Sequence, residues 1–409
     1  MPDNTDDAEW PASTETPSTP GSTYNDHTAA DRLHVDDPGE LIAAVPAMVG
    51  FTPRRSLVVA VLKDAPNPGS SPIIDAVLRF DLKPCGRSQR RLAAAYAQAV
   101  AQICATSTQG STKVLAVIVD DRVREPHRNP RHGATVTGPW AALVAAFARR
   151  LAQQEVFLEG AWAVRAIEKD QQWWSLLETN RHGVLPDPAA SLVTVAHVLN
   201  GRPIRSDRSE LTDLVAPDDD LVAQVIALLD SADARALERY ETAVRRGDPD
   251  GYHRRALELV LWQIADTDSG EALTASACAE LAAALRDRTV RDSLFALAVG
   301  EHAAAAAENL WAALTRALPG SDRADAATLL AYSAYLRGDG PLAGIALQTA
   351  LDADPAHSMA ILLATALHTG MRPDTLRRLA YSGLGIAADL GIDLGTDPMS
   401  CAAPDHTAL

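Results

Sequence analysis

Lysine and cysteine are both scarce in this sequence. Its 409 residues include four lysines and four cysteines, and the net charge is −16. The cysteines lie far apart and form no C-x-x-C pair, so neither a zinc knuckle nor a disulfide framework is expected. The sequence also lacks a long basic stripe that could release counterions from nucleic acid, which argues against a nucleic-acid partner.

Long apolar runs are absent as well. No run approaches the roughly 20 residues that a membrane helix needs, and the N-terminus has no basic segment followed by an apolar core. With so few cysteines, these features predict a cytoplasmic protein without a membrane partner.

The common catalytic motifs are missing. The sequence contains no G-x-G-x-x-G, no Walker loop, no G-x-S-x-G elbow and no H-E-x-x-H. The nucleotide, hydrolase and metalloprotease chemistries that depend on those local geometries are therefore not indicated, and no cofactor or metal is expected.

The acidic charge is concentrated at the N-terminus. The first 40 residues carry a net charge of −9, and the other 369 carry only −7. Residues 1–30 are rich in Pro, Ser, Thr and Asp and poor in aliphatic side chains, so we predict a disordered tail. The alternative is a docking peptide around Trp10.

Order is predicted to begin at Asp37, a suitable N-cap for a helix that starts at Pro38 and ends at Gly50. A buried strand, Leu57 to Leu62, follows after a corner that contains Arg54 and Arg55. Phosphate-binding loops have the opposite order, from strand to helix. We therefore expect the two arginines to complement the helix end instead of binding a ligand.

Apolar segments with strand and helix periods then alternate up to about residue 215. Strand-like segments are 73–82, 114–119 and 156–167, and helix-like segments are 89–104 and 140–151. This alternation predicts an α/β domain over residues 31–215, with a mixed, mostly parallel sheet covered by helices.

Only helical patterns follow. We assign an all-α domain to residues 216–390 and a flexible tail to residues 391–409. A repeat with a period of 32 residues aligns Ala326–Pro341 with Ser358–Pro373, matching Gly338 with Gly370 and Pro341 with Pro373. It predicts two helical hairpins that resemble tetratricopeptide units.

Three segments, taken in order, resemble the actinobacterial domain-of-unknown-function family 4192. They are "VPAMVGFTPRRSLVVAVL", "QWWSLLE" followed by "AHVLNGRPIRSDRSELTDLVAP", and "AATLLAYSAYLRGDGPLAGIALQTALDADP". The resemblance spans about residues 33–380. It implies kinship with an uncharacterised family and no particular activity.

One charged constellation follows the apolar strand that ends at Val119. An α/β sheet often presents ligands beyond the carboxyl end of a strand, so this segment is a candidate ligand or partner site. Two tryptophans could wall its pocket with their flat faces, although large aromatics beside a strand are usually core. The candidate residues are Asp120, Asp121, Arg122, Arg128, His132, Trp173 and Trp174. The other interpretation is a solvated loop of paired acids and arginines.

Three functional hypotheses remain. The first is a non-catalytic interaction protein whose helical region binds a protein partner and whose α/β domain binds a partner or a small ligand. The second is an enzyme that acts on a small anionic substrate at the Asp120–His132 loop, with arginines clamping the anion and an Asp or His as general base. The third is a structural subunit of a complex.

Overall fold

A computed structural model describes most of the chain. The described residues are 37–63, 72–82, 89–106, 113–124, 138–178, 181–199, 204–268, 273–300 and 303–394. The predicted N-terminal tail, residues 1–30, lies outside them.

The first helix confirms its sequence signals. α1 spans Pro38–Val49, and the Asp37 side chain caps it by accepting a 2.8 Å hydrogen bond from the backbone N–H of Gly39. Gly50 ends the helix with φ 81°, a left-handed conformation that favours glycine. Every residue of α1 except Glu40 is buried, so the helix lies inside the protein.

Within the described residues, six strands form one sheet in the order β2-β1-β3-β4-β5-β6. Two helices, α2 (Gln89–Thr106) and α3 (Pro139–Ala152), connect β2 to β3 and β3 to β4. The strands are β1 (Ser56–Lys63), β2 (Ile73–Asp81), β3 (Lys113–Val119), β4 (Phe157–Val164), β5 (Gln172–Ser175) and β6 (His182–Val184).

The prediction of a mostly parallel sheet is wrong, although the sheet is mixed. Among the described strands, β3 and β4 pair in parallel, and the other four pairings are antiparallel. β2 and β3 do run in the same direction, as a helical crossover requires. However, β1 lies between them and runs the opposite way, so both of its pairings are antiparallel.

The two faces of the sheet belong to different cores. Leu57, Val59 and Val61 of β1 face the core that includes residues of α2 and α3. Val58 and Ala60 face α1, and this second core continues into the helical region. α1 is therefore covered by the sheet on one side and by other helices on the other.

The rest of the described chain is helical apart from its connections. The helices are α4 (Leu192–Leu199), α5 (Arg208–Asp213), α6 (Asp219–Arg245), α7 (Pro249–Asp268), α8 (Ala275–Leu285), α9 (Arg288–Leu294), α10 (Ala304–Ala317), α11 (Gly320–Leu336), α12 (Gly340–Ala353), α13 (Ser358–His368) and α14 (Pro373–Asp389). A 3-10 segment, Phe295–Val299, follows α9.

The 32-residue repeat places two similar turns in different surroundings. Gly338 and Gly370 both have left-handed φ values, 81° and 66°, and each is followed by a helix with proline in its first turn. α11 and α12 then pack along each other. α14 instead leaves α13 and packs on α9 and the 3-10 segment, so the second unit is not a closed hairpin.

Both turns also touch the sheet-containing part. Asp339 lies beside Gly50 at the end of α1, and Ile103 of α2 packs against Gly370. The domain boundary near residue 215 stays a prediction, and the buried core continues across it. At the C-terminus, Ile392 and Leu394 pack against this core, and residues 395–409 lie outside the described chain.

Candidate functional site

The sheet register brings the predicted charged segment next to the corner after α1. Ser56, the first residue of β1, pairs with Val119, the last residue of β3. Because the strands are antiparallel, Arg55 just before β1 lies beside Asp120 and Asp121 just after β3. The sequence separates these residues by more than 60 positions.

Asp120 is fully buried and fixes the start of the segment. Its carboxylate accepts hydrogen bonds from the Arg122 backbone N–H at 2.8 Å, from Nε at 2.8 Å and from Nη2 at 2.6 Å. The Arg122 guanidinium also lies 5.5 Å from the centre of the Trp140 ring, a cation–π distance. Asp120 therefore holds the Arg122 side chain beside Trp140 of α3.

Asp121 pairs with Arg55 on the surface. Arg55 Nε donates to Oδ1 at 3.0 Å, and Nη2 donates to Oδ2 at 3.1 Å. The hydrogen bond lowers the pKa of Asp121 and raises that of Arg55. We expected Arg54 and Arg55 to complement the end of α1. For Arg55 the structure shows this ion pair instead, because the pairing of Ser56 with Val119 places Arg55 beside the end of β3.

Trp173 and Trp174 do not wall one pocket. They are consecutive residues of β5, so their side chains point to opposite faces of the sheet. Trp173 lies in the α1 core, where a Cβ at Gly183 would stand 2.8 Å from its ring, and Trp174 lies in the core under α2 and α3. Both are buried core residues, as is usual for large aromatics beside a strand.

The fold thus places only some of the predicted site residues next to each other. Asp120, Asp121 and Arg122 lie side by side, and each of their charges has a partner. Arg128 and His132 lie outside the described residues.

A second surface was missed by the sequence analysis. A cleft of about 220 Å³ opens between α6 and α7 above α8. We call it the α6–α7 groove. It is lined by Ala236, Arg239, Tyr252, Arg255, Ala256, Leu259, Glu280 and Ala284.

One end of the α6–α7 groove is built from charged groups. Arg235 Nε and Arg239 Nη2 both donate to the Glu280 carboxylate, at 2.8 and 2.7 Å. Burial opposes ionisation of Glu280, but these two hydrogen bonds hold its pKa below the usual value. Arg255, on the opposite wall, has no ion pair or hydrogen bond from its side chain to any described residue.

The walls of the groove continue as exposed apolar side chains. On α7, Leu259 and Trp262 follow Arg255 at spacings of four and seven residues, so all three lie on one helical face. Trp262 is 63% exposed. On α6, Leu237 is 58% exposed, and Tyr240 packs edge-on against Tyr252 of α7 with ring centres 5.3 Å apart. Large apolar residues that are exposed on two neighbouring helices make this face a candidate interaction surface.

The sequence held one signal for this groove. Arg255 interrupts an apolar stripe on α7 that consists of Tyr252, Leu259 and Trp262. A charged residue at such a position is unusual on a helix face that packs in a core. Periodicity alone cannot separate a stripe that is buried by a neighbouring helix from one that is left open.

Neither a metal site nor a membrane span is found among the described residues. No three His, Cys, Asp or Glu side chains are grouped so that they could hold a metal ion. Within the same part of the chain, no helix has the length and hydropathy of a membrane span.

The fold and these surfaces define a protein in which a mixed α/β sheet and a helical region share a core, with an open groove on the helices. The family model described as a domain of unknown function, DUF4192, matches residues 38–374. The chain belongs to this family. No curated protein and no solved structure gives a significant match.

Proposed function

We propose that this protein is a non-catalytic cytoplasmic interaction protein whose α6–α7 groove binds a protein partner. The observation that carries the proposal is the stripe on α7, where Arg255, whose side chain has no ion pair or hydrogen bond within the described part of the chain, adjoins the exposed Leu259 and Trp262. Aromatic and arginine side chains are the types most enriched among residues that dominate binding energy.

We propose a tetratricopeptide-like hairpin for α11 and α12 alone. These helices pack closely through small buried residues, among them Ala331, Ala334, Ala343 and Ala346. Nearly all of α11 is buried, so this hairpin supports the helical region from within. The partner surface that we propose lies on α6 and α7 instead.

The enzyme hypothesis finds less support. It needs Asp120 or a histidine as a base and free arginines as an anion clamp. In the described part of the loop, Asp120 is engaged by Arg122, and Asp121 is engaged by Arg55. The α/β domain is therefore proposed to serve as a scaffold, with a small ligand or a second partner as the alternative.

Co-purification of the full-length protein from its native cells tests the proposal. Trp262→Ala removes the exposed aromatic side chain that follows the groove residue Leu259 on the same face of α7. Phe157→Ala is the matched control, because Phe157 is a similarly exposed aromatic residue, 57% exposed, that belongs to strand β4 and to neither groove helix. We expect a protein that co-purifies with the wild type and the control and is lost from Trp262→Ala.

Equal recovery of every co-purifying protein by the two variants would contradict a partner site in the groove. A complex that survives in both would favour the structural-subunit hypothesis. Loss of a partner from Phe157→Ala alone would move the binding site to the sheet.

A further inference from the structure

The chemistry of the α6–α7 groove restricts what can occupy it. Arg239 and Arg255 line the groove from α6 and α7, and Leu259 and the exposed Trp262 follow Arg255 as apolar residues on the same face of α7. An occupant that binds both the arginines and the apolar residues must carry carboxylates close to one large apolar side chain. Carboxylates suit arginine because its planar fork can form two parallel hydrogen bonds with them.

The N-terminal segment of this chain has that composition. Residues 1–36 carry eight carboxylates against the single Arg32. The only tryptophan among them, Trp10, directly follows Asp6, Asp7, Ala8 and Glu9. No other residue of the segment combines a large aromatic ring with three neighbouring carboxylates.

The tether between this segment and the folded protein is long enough for docking on any face. Trp10 and Asp37, the N-cap of α1, are separated by 27 positions. An extended chain of that length spans about 90 Å, and a flexible one has an end-to-end distance of about 30 Å. Because the segment is covalently attached, its effective concentration at the groove is of millimolar order. Even weak contacts would then give substantial occupancy.

We propose that residues 6–10, with the sequence "DDAEW", occupy the α6–α7 groove of the same chain and compete with its partner. The carboxylates pair with Arg255, and the Trp10 ring covers Leu259 and Trp262. This inference rests on the proposed function, because it makes the acidic tail a regulator of the same binding surface. A partner with the same chemistry, an acidic segment with an aromatic side chain, would have to displace it.

Photo-crosslinking in the full-length protein tests this docking without any partner. The benzophenone amino acid p-benzoylphenylalanine replaces Trp10 in one variant and Tyr24 in a control. Tyr24 belongs to the same tail but is followed by only one carboxylate within two residues, Asp26. We expect crosslinks from position 10 within one chain, located on residues 252–262 by mass spectrometry, and few from position 24.

Charge variants then test the ion pairing. Arg255→Gln should lower the yield of the position 10 crosslink about two- to fivefold, as expected for a partly exposed ion pair. Arg149→Gln, an equally conservative change on the exposed face of α3, should leave it unchanged. Replacing Asp6, Asp7 and Glu9 by their amides should reduce the yield as Arg255→Gln does, and the combined variant should show no further loss, since both changes remove one interaction.

Three outcomes would overturn the inference. They are crosslinks from position 10 that scatter over the surface as those from position 24 do, crosslinks between two chains, and a yield that Arg255→Gln does not change. If a partner is still lost from Trp262→Ala in the co-purification, any of these outcomes removes the tail from the groove and leaves the proposed function standing.

Discussion

Arg372, in the turn between α13 and α14, donates from Nη2 to Asp75 Oδ1 of β2 at 3.2 Å, although the two residues are 297 positions apart in the chain. Beside this pair, Ile103 of α2 packs on Gly370. The end of the helical region is therefore attached directly to the sheet. With α1 buried between the two parts, the contacts form one continuous interior.

This shared interior predicts that the described part of the chain unfolds as one unit. A chain of this length commonly forms two domains that melt separately. Here the α1 core extends from β1 to α14, so loss of either part exposes apolar surface of the other. Differential scanning calorimetry should show one transition with equal calorimetric and van't Hoff enthalpies. Two resolved transitions would show that the sheet and the helices are energetically independent.

Two glycines of α14 should respond in opposite directions to the same substitution. A Cβ at Gly383 would lie 2.8 Å from Asp292 O and 2.9 Å from Ser293 O, which are backbone atoms that cannot move aside easily. Gly383→Ala should therefore destabilise the protein by about 1–3 kcal/mol through overpacking. At Gly385 no atom lies within 4 Å, so Gly385→Ala should stabilise it by up to about 1 kcal/mol through helix propensity.

Urea unfolding of both variants measures these differences. Equal effects of the two alanines would mean that α14 does not approach the chain around Asp292 and Ser293 as closely as the structure shows.

The two acidic residues after β3 should also differ from each other. Asp120→Asn replaces a buried carboxylate that accepts three hydrogen bonds with a neutral amide that has one oxygen acceptor. We therefore expect a loss of about 2 kcal/mol in the free energy of unfolding. Asp121→Asn alters a solvent-exposed pair and should change stability much less. Chemical denaturation of both variants checks the order. A stable Asp120→Asn protein would reopen the possibility that this carboxylate is kept for chemistry.

Stability should fall in alkaline solution. Burial raises the pKa of Cys104 and of Cys278 to about 11 from 9.0, and that of Tyr96 to about 12 from 10.0. Above pH 9 the unfolded chain therefore loses protons that the folded protein keeps. The stability from these groups is complete below pH 9 and disappears as the pH rises through 11 to 12.

The urea midpoint measured at pH 8 and at pH 10.5 should show this decrease. Replacing both cysteines by alanine should make the decrease smaller. A midpoint that does not change with pH in the wild type would contradict the burial of these groups.

The elements that local chemistry determines could be predicted from the sequence. The cap at Asp37, the left-handed Gly50 and the turn glycines Gly338 and Gly370 all depend on the residue itself and its near neighbours. The apolar run ending at Val119 likewise predicts a central strand, because both faces of β3 are covered.

The relations that depend on distant parts of the chain could not be predicted. Long-range pairing decides whether β1 lies between β2 and β3. The prediction of mostly parallel strands was wrong because the sequence does not show this pairing. The divergence of α14 from α13 depends on the packing of Gly383 against the last turn of α9 and the start of the 3-10 segment. The α6–α7 groove could not be predicted for the same reason. Trp262 is exposed because no described helix covers it, and the sequence alone does not show this.

Hydrogen exchange of the purified protein with and without its isolated partner tests the central claim most directly. Mass spectrometry resolves peptides from the groove and from the charged segment after β3 in one experiment. We predict that partner binding slows exchange in residues 237–262 on α6 and α7 and leaves residues 113–124 unchanged. Slowed exchange in residues 113–124 with no change in residues 237–262 would contradict the account and place the binding site on the α/β domain.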